Sequence, residues 1–141
     1  MPVAHLEKVL GLEFRDPRLL QQALVHRSHL NELEGPAGSS NERMEFLGDA
    51  VLELMVSTEL YQRFPDMDEG DLTKSRASLV CRETLAQVAR RLHLGEYLLL
   101  GKGEEGTGGR YRDSNLASAF EAVVAAVYLD LGYVETARFL L

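Results

Sequence analysis

An all-α helical bundle is the fold this sequence predicts, and three observations predict it. Apolar residues recur at three- and four-residue spacing along most of the chain. Helix start and stop signals, among them Asp16-Pro17, Asn41 and Pro65, bracket the periodic stretches. No segment alternates apolar and polar residues in the manner of a half-buried strand. The 141 residues suffice for one domain over 1–141 with its own core and no disulfide or metal staples. No repeat, low-complexity tract or linker divides them.

Asp16-Pro17 reads as an N-cap followed by Pro at the first helical position, and Leu19, Leu20, Ala23 and Leu24 supply the apolar stripe of a helix to about His26. Glu34 to Ser40, with Gly35, Pro36 and Gly38, reads as a surface loop. Asn41 is the expected N-cap of a long helix through about Arg63, stopped before Pro65. A further helical region runs from about Gly70 to Leu92 and bends around Val80 to Glu83. Gly101 to Arg112 holds five glycines and reads as a mobile loop. A strongly apolar helix from about Asn115 to Leu131 follows, and Tyr133 to Leu141 begins another.

The formal net charge of −7 argues against simple, tight binding to a polyanion. Its distribution matters more than its sum. From Leu72 to Arg112 eight Lys and Arg stand against four Glu, so the acidic excess lies in the flanks, where a cation site could use it. The basic residues between Lys74 and Arg91 read either as a solvated face or as a phosphate-contacting rim. The single Cys81 cannot form an internal bridge; it reads as a small buried hydrophobe in a reducing compartment. No apolar run approaches the roughly 20 residues that span a bilayer, and the N-terminus lacks a signal-peptide pattern. The expectation is a cytoplasmic protein with no membrane association.

The segment Asn41 to Glu53, NERMEFLGDAVLE, carries the chemistry. At about 100° per residue, Glu42, Glu45 and Asp49 fall within an arc of about 60° on one helical face. Met44, Phe46, Leu47, Val51, Leu52 and Met55 make most of the remaining surface apolar, so the acids border a core. Carboxylates this close raise one another's pKa unless a cation sits between them. The alternative is a solvated acidic face, and two features weigh against it. The apolar helix SNLASAFEAVVAAVYLDL has one internal acid, Glu121, which needs a partner if buried. Glu69, at the start of the next helix in DEGDL, suits the positive helix terminus. Oxygen-only clusters point to a hard cation such as Mg2+, with Mn2+ as a substitute, and such ions suit phosphoryl chemistry.

NERMEFLGDAVLE resembles the ribonuclease III signature. ALVHRSHLNE before it, and RFPDMDEGDLTKSRASLV, LGKGEE and SNLASAFEAVVAAVYLDLG after it, stand in that family's order and spacing, so the resemblance covers the whole chain. It implies a ribonuclease III endonuclease-domain helical bundle that works as a homodimer on double-stranded RNA. It further implies that Glu45, Asp49 and Glu121 bind the principal Mg2+, while Glu42 and Glu69 assist a second ion or the scissile phosphate. A metal-activated water would leave a 5′-phosphate and a 3′-hydroxyl, and two sites along one groove would cut both strands to short 3′ overhangs. Phe46 would insert into a socket on the partner; from the residues alone an ordinary core Phe is the alternative. The double-stranded RNA-binding domain that usually follows in this family does not appear before Leu141.

One position departs from the family pattern. Three residues before Glu121 the family has Asp, and here stands Ser118. The i, i+3 spacing places Ser118 on the same face as Glu121, so the substitution falls in the metal shell. Asp113, roughly 140° around the helix, does not restore the charge. One unit charge at about 4 Å with an effective dielectric near 20 is worth about 4 kcal/mol, so weakened metal binding and rate are expected, with Ser118 holding at most a bridging water. Asn115, where the family usually has an apolar residue, is a milder departure. Ser118 leaves three explanations open: a deliberate replacement, a weaker natural enzyme, or a catalytically impaired module kept for RNA binding or dimerisation. A helical nucleotide phosphohydrolase would share the carboxylates but not the signature.

Other signals carry less. GKGEEG matches G-x-G-x-x-G but follows no strand and places two Glu where phosphates would sit, so no nucleotide cofactor is expected. His26 and His29 are three apart; hydrogen bonds that fix the helix end against the acidic helix account for them better than a metal pair does. Glu53 extends past the motif as a surface acid.

Overall fold

Residues 2–30 and 39–141 are described by the computed structural model, and their helices are arranged around one buried rod, α8 (Asp113–Leu140). From Leu116 to Val127 its side chains are nearly all buried, on every side of the helix, as expected of a helix at the centre of a bundle. Alanines at 117, 119, 122, 125 and 126 keep the rod thin, so neighbours approach closely. Its most extensive contact is with α4 (Glu42–Arg63), followed by α6 (Arg82–Arg91) and α2 (Pro17–Ala23). By length and composition α8 is apolar enough to cross a membrane, which the raw sequence had not suggested, but half of its most apolar stretch is buried inside the bundle. Core helices meet the same criterion.

The Asp16 start signal acts as expected, and other acids add caps and ties that were not anticipated. The Asp16 carboxylate accepts from the backbone N–H of Arg18 with Pro17 at the first helical position. Asp68 caps α5 (Glu69–Leu79) by accepting from the N–H of Asp71 at 2.8 Å. Asp130 on α8 accepts from the N–H groups of Arg15 and Asp16 at 2.6 and 3.1 Å, tying the start of α2 to the central rod. The bend expected near Val80 to Glu83 is a break between α5 and α6. At Gly132, φ 86° interrupts α8, a left-handed conformation that glycine adopts without a Cβ penalty. This separates the expected helix to Leu131 from the one beginning at Tyr133.

Several expectations need correction. α2 stops at Ala23 rather than about His26 because Val25 pairs with Leu99 in an isolated parallel bridge, and the chain then turns into the short α3 (Arg27–Leu30). Asn41 occupies the N-cap position of α4 but makes no side-chain cap. Its buried amide instead donates to the Ala23 carbonyl at 3.1 Å, and its backbone N–H donates to Val25. Ser40 Oγ accepts from the Glu42 N–H. Gly101 to Arg112 is not an open loop: it forms α7 (Lys102–Gly106) and a 3-10 turn, Gly109–Tyr111. Arg110 donates from one guanidinium nitrogen to the carbonyls of Gly95 and Leu98 at 2.7 and 2.9 Å. Cys81 is half-buried at the N-cap of α6, with its Sγ 3.1 Å from Thr84 Oγ1, so it is not a core hydrophobe. The N-terminal α1 (Val3–Leu10) buries Leu6 and Leu10 and was not anticipated. The loop expected from Glu34 falls almost wholly within 31–38, outside the described residues.

Candidate active site

The site begins with a contact between backbones. A Cβ built on Gly48 would sit 1.7 Å from the carbonyl oxygen of Glu121, so α4 and α8 touch where only glycine fits. Gly48 follows Glu45 by three residues and precedes Asp49, so the acids flanking this contact are brought to Glu121. Glu42, Glu45, Phe46, Asp49 and Glu121 line one open hollow of about 500 Å³. Ser118 lies outside it. With His26, Arg27, Asn41, Leu98 and Asn115, it lines an adjoining hollow of about 220 Å³, and the two share Glu42 and Glu45 as a common wall.

Glu121 is the electrostatic centre. Its pKa is pushed up to about 8, first by burial, then by a hydrogen bond with Asp49 and by the charges of Asp49, Glu45 and Glu53. Glu121 is thus protonated at neutral pH, with Asp49 as its hydrogen-bond partner. Among the described residues no three acidic, His or Cys side chains close on one point at coordination distance. Mutual repulsion of ionised carboxylates explains the open arrangement. The donor set is all oxygen, and a half-buried acid that keeps its proton only for want of a cation is the environment a hard divalent ion relieves. The residues therefore fit such an ion.

Glu69 does not join the others within one chain. It is exposed at the first position of α5 and lines neither hollow. Phe46 is 80% exposed on α4, which removes the core-Phe reading and leaves a large apolar ring at the rim of the acids. Asp113 opens α8 in an ion pair with Arg90, so it does not supply the carboxylate that Ser118 lacks. Glu53 is exposed as expected, yet its charge still reaches Glu121. His26 does not fix a helix end against α4; its Nδ1 lies 2.7 Å from Ser28 Oγ, which accepts from the N–H of Gly101.

Two structural partners were missed from sequence. Gly48 could have been found as an isolated glycine inside a strong helical pattern, a sign of close backbone approach. Asn115, read only as a departure, donates to Glu104 Oε1 at 2.8 Å and to the Gly109 carbonyl at 2.9 Å. The Asn115 hydrogen bond, opposed by desolvation and helped by the charges of Arg112 and His26, holds the Glu104 carboxyl below its usual range. Together these bonds latch α7 and its turn onto the first turn of α8, one turn before Ser118. No sequence signal pairs these two residues.

Comparison with known proteins places the chain in a family. Residues 16–141 match the family described as Ribonuclease-III-like. Ribonuclease 3 of Dehalococcoides mccartyi is 52% identical over 132 residues, covering 94% of this chain and 56% of that protein. Ribonuclease 3 of Pelotomaculum thermopropionicum is 58% identical over 127 residues, covering 90% and 53%. The chain thus spans about half the length of the curated relatives it matches. Among solved structures, the nuclease domain of ribonuclease III from Campylobacter jejuni, described for flexibility in a region involved in dimer formation, superposes with TM-score 0.90 at 39% identity over 99% of this chain and 93% of that one. Dicer from Pichia stipitis matches at TM-score 0.69 and 31% identity, covering 91% and 54%. The matches run along nearly the whole sequence, and the chain belongs to the ribonuclease III-like family.

Proposed function

We propose that this chain is the nuclease domain of an endoribonuclease that hydrolyses phosphodiester bonds of double-stranded RNA with a divalent cation, Mg2+ or Mn2+, as a homodimer in the cytoplasm. The observation that carries the reading is the hollow where Glu45 and Asp49 of α4 meet Glu121 of α8. Those three side chains would hold the ion, with Ser118 contributing a hydroxyl or a held water from the adjoining hollow. Bound there, a divalent ion supplies Lewis acidity toward the phosphate and lowers the pKa of a water. The raised pKa of Glu121 marks the carboxyl that such an ion would relieve of its proton, and Asp49, its hydrogen-bond partner, would be held beside it as a ligand. Glu42, on the wall between the two hollows, orients the water or the scissile phosphate. Glu69 serves the groove that forms between two copies, and Phe46 anchors that interface. Duplex RNA is recognised by backbone and A-form shape, so sequence preference is weak.

Ser118 sets the level of activity. Restoring a carboxylate beside the ion adds a unit charge worth about 4 kcal/mol at 4 Å, roughly double against a divalent ion before desolvation offsets it. In a cleavage assay on long duplex RNA with Mg2+ or Mn2+, Ser118→Asp is expected to cut at least a hundredfold faster than the parent chain. Cleavage by neither form, with RNA still bound, would make the chain a binding or dimerisation module instead.

A further inference from the structure

We infer that Arg27 binds a backbone phosphate of the RNA at the hollow it shares with Glu42, Glu45, Asn115 and Ser118, an inference that rests on the nuclease reading above. The first reason is the way Arg27 is mounted. On one side, the His26 N–H donates to the Leu99 carbonyl at 3.0 Å. On the other, Ser28 Oγ accepts from the Gly101 N–H at 2.8 Å, and the Ser28 N–H donates to His26 Nδ1 at 3.1 Å. Both neighbours are therefore tied to the 99–101 strap, while the Arg27 side chain itself is exposed. A long side chain on a fixed backbone loses less freedom on capturing a ligand than one on a loose loop.

The second reason is what Arg27 leaves undone. Two glutamates line the same hollow, yet Arg27 forms no ion pair or hydrogen bond with them or with any other of the described residues. A counter-charge to Glu42 and Glu45 would be paired with one of them. An open guanidinium presents a planar fork of donors matched to two phosphate oxygens. Ser118 strengthens the case, because a neutral hydroxyl at that wall repels an anion less than a carboxylate would.

The third reason is position. The hollow adjoins the Asp49–Glu121 hollow across Glu42 and Glu45, so a phosphate held by Arg27 lies next to the one presented to the acids. A polyanion entering a groove lined by carboxylates needs a fixed positive charge at its edge, and none of the other residues lining the two hollows is Lys or Arg.

The test is equilibrium binding of a fluorescein-labelled RNA duplex to the intact chain in Mg2+, followed by anisotropy over a series of KCl concentrations. Arg27→Ala is expected to weaken binding about tenfold at low salt and to reduce the slope of log K against log salt by about one phosphate contact. Arg27→Lys should restore the slope but not the full affinity, since an ammonium lacks the fork. A merely structural role would lower the melting temperature of Arg27→Ala and leave the slope where it was. An unchanged slope with a parent chain that binds RNA overturns the assignment of Arg27 alone. A parent chain that binds no duplex RNA under any of these conditions overturns the nuclease reading and the assignment with it.

Discussion

Glu121 shows how burial and neighbouring carboxylates act together on one acid. Its carboxyl keeps a proton up to about pH 8 in the folded chain, chiefly because burial and the neighbouring Asp49 disfavour the charge, but loses it near the ordinary value of 4.5 when unfolded. Between those limits the unfolded chain binds fewer protons, so the contribution of Glu121 to stability is fully present below 4.5 and declines as pH rises toward 8. In EDTA, denaturant titrations at steps from pH 5 to pH 8 should therefore show Glu121→Gln gaining on the parent chain as pH increases. A gap that stays constant with pH would contradict a Glu121 proton held to about pH 8. At this scale the sequence was informative where chemistry dictates the residue: Glu42, Glu45, Asp49 and Glu121 face one hollow as helical spacing and the family resemblance required. It was silent where a role depends on a distant backbone, as for Asn115 on Glu104 and Arg27 on its strap, because no periodicity encodes such pairs.

Among the elements, the crossing of α4 and α8 positions the chemistry, and it depends on one missing methyl group. Glycine inside a helix costs up to about 1 kcal/mol relative to alanine, so Gly48→Ala would stabilise an isolated α4. In the folded chain the added Cβ meets the Glu121 carbonyl at 1.7 Å, and backbone cannot yield as a side-chain tip can. Overpacking of this kind costs about 3 kcal/mol, so the clash wins. Gly48→Ala should lower stability by about 2 kcal/mol net in urea unfolding and weaken divalent-cation binding by separating Glu45 and Asp49 from Glu121. Full stability in that variant would show that the two helices do not meet as described. The long helices α4 and α8 were legible because strong periodicity and caps agree over many residues. α7 was not, because its glycines signal a loop while its order comes from Arg110, Arg112 and Asn115 reaching in from outside. α2 was cut short for a related reason: the Val25–Leu99 bridge is a tertiary contact that overrides local propensity.

At the scale of the whole molecule, an acidic chain proposed to act on an acidic polymer needs its charges arranged rather than merely balanced. The net charge of −7 includes carboxylates gathered at the α4–α8 crossing, where a bound divalent ion would turn a repulsive patch into an attractive one. Phe46, an exposed ring at the rim of that patch, and Glu69, exposed on α5 and remote from both hollows, are understandable if two copies face one another across a common groove. The all-helical architecture came directly from the sequence, since repeated amphipathic patterns fix secondary structure. The central place of α8 came less directly, because an apolar run does not say what surrounds it. The whole account turns on a cation seated between α4 and α8, and diffraction from crystals soaked in Mn2+, recorded at the manganese edge, tests that most directly. The expected result is an anomalous peak with oxygens of Glu45, Asp49 and Glu121 drawn in to roughly 2.1 Å. A peak confined to other surface acids, or none at a Mn2+ concentration that supports RNA binding, would contradict it.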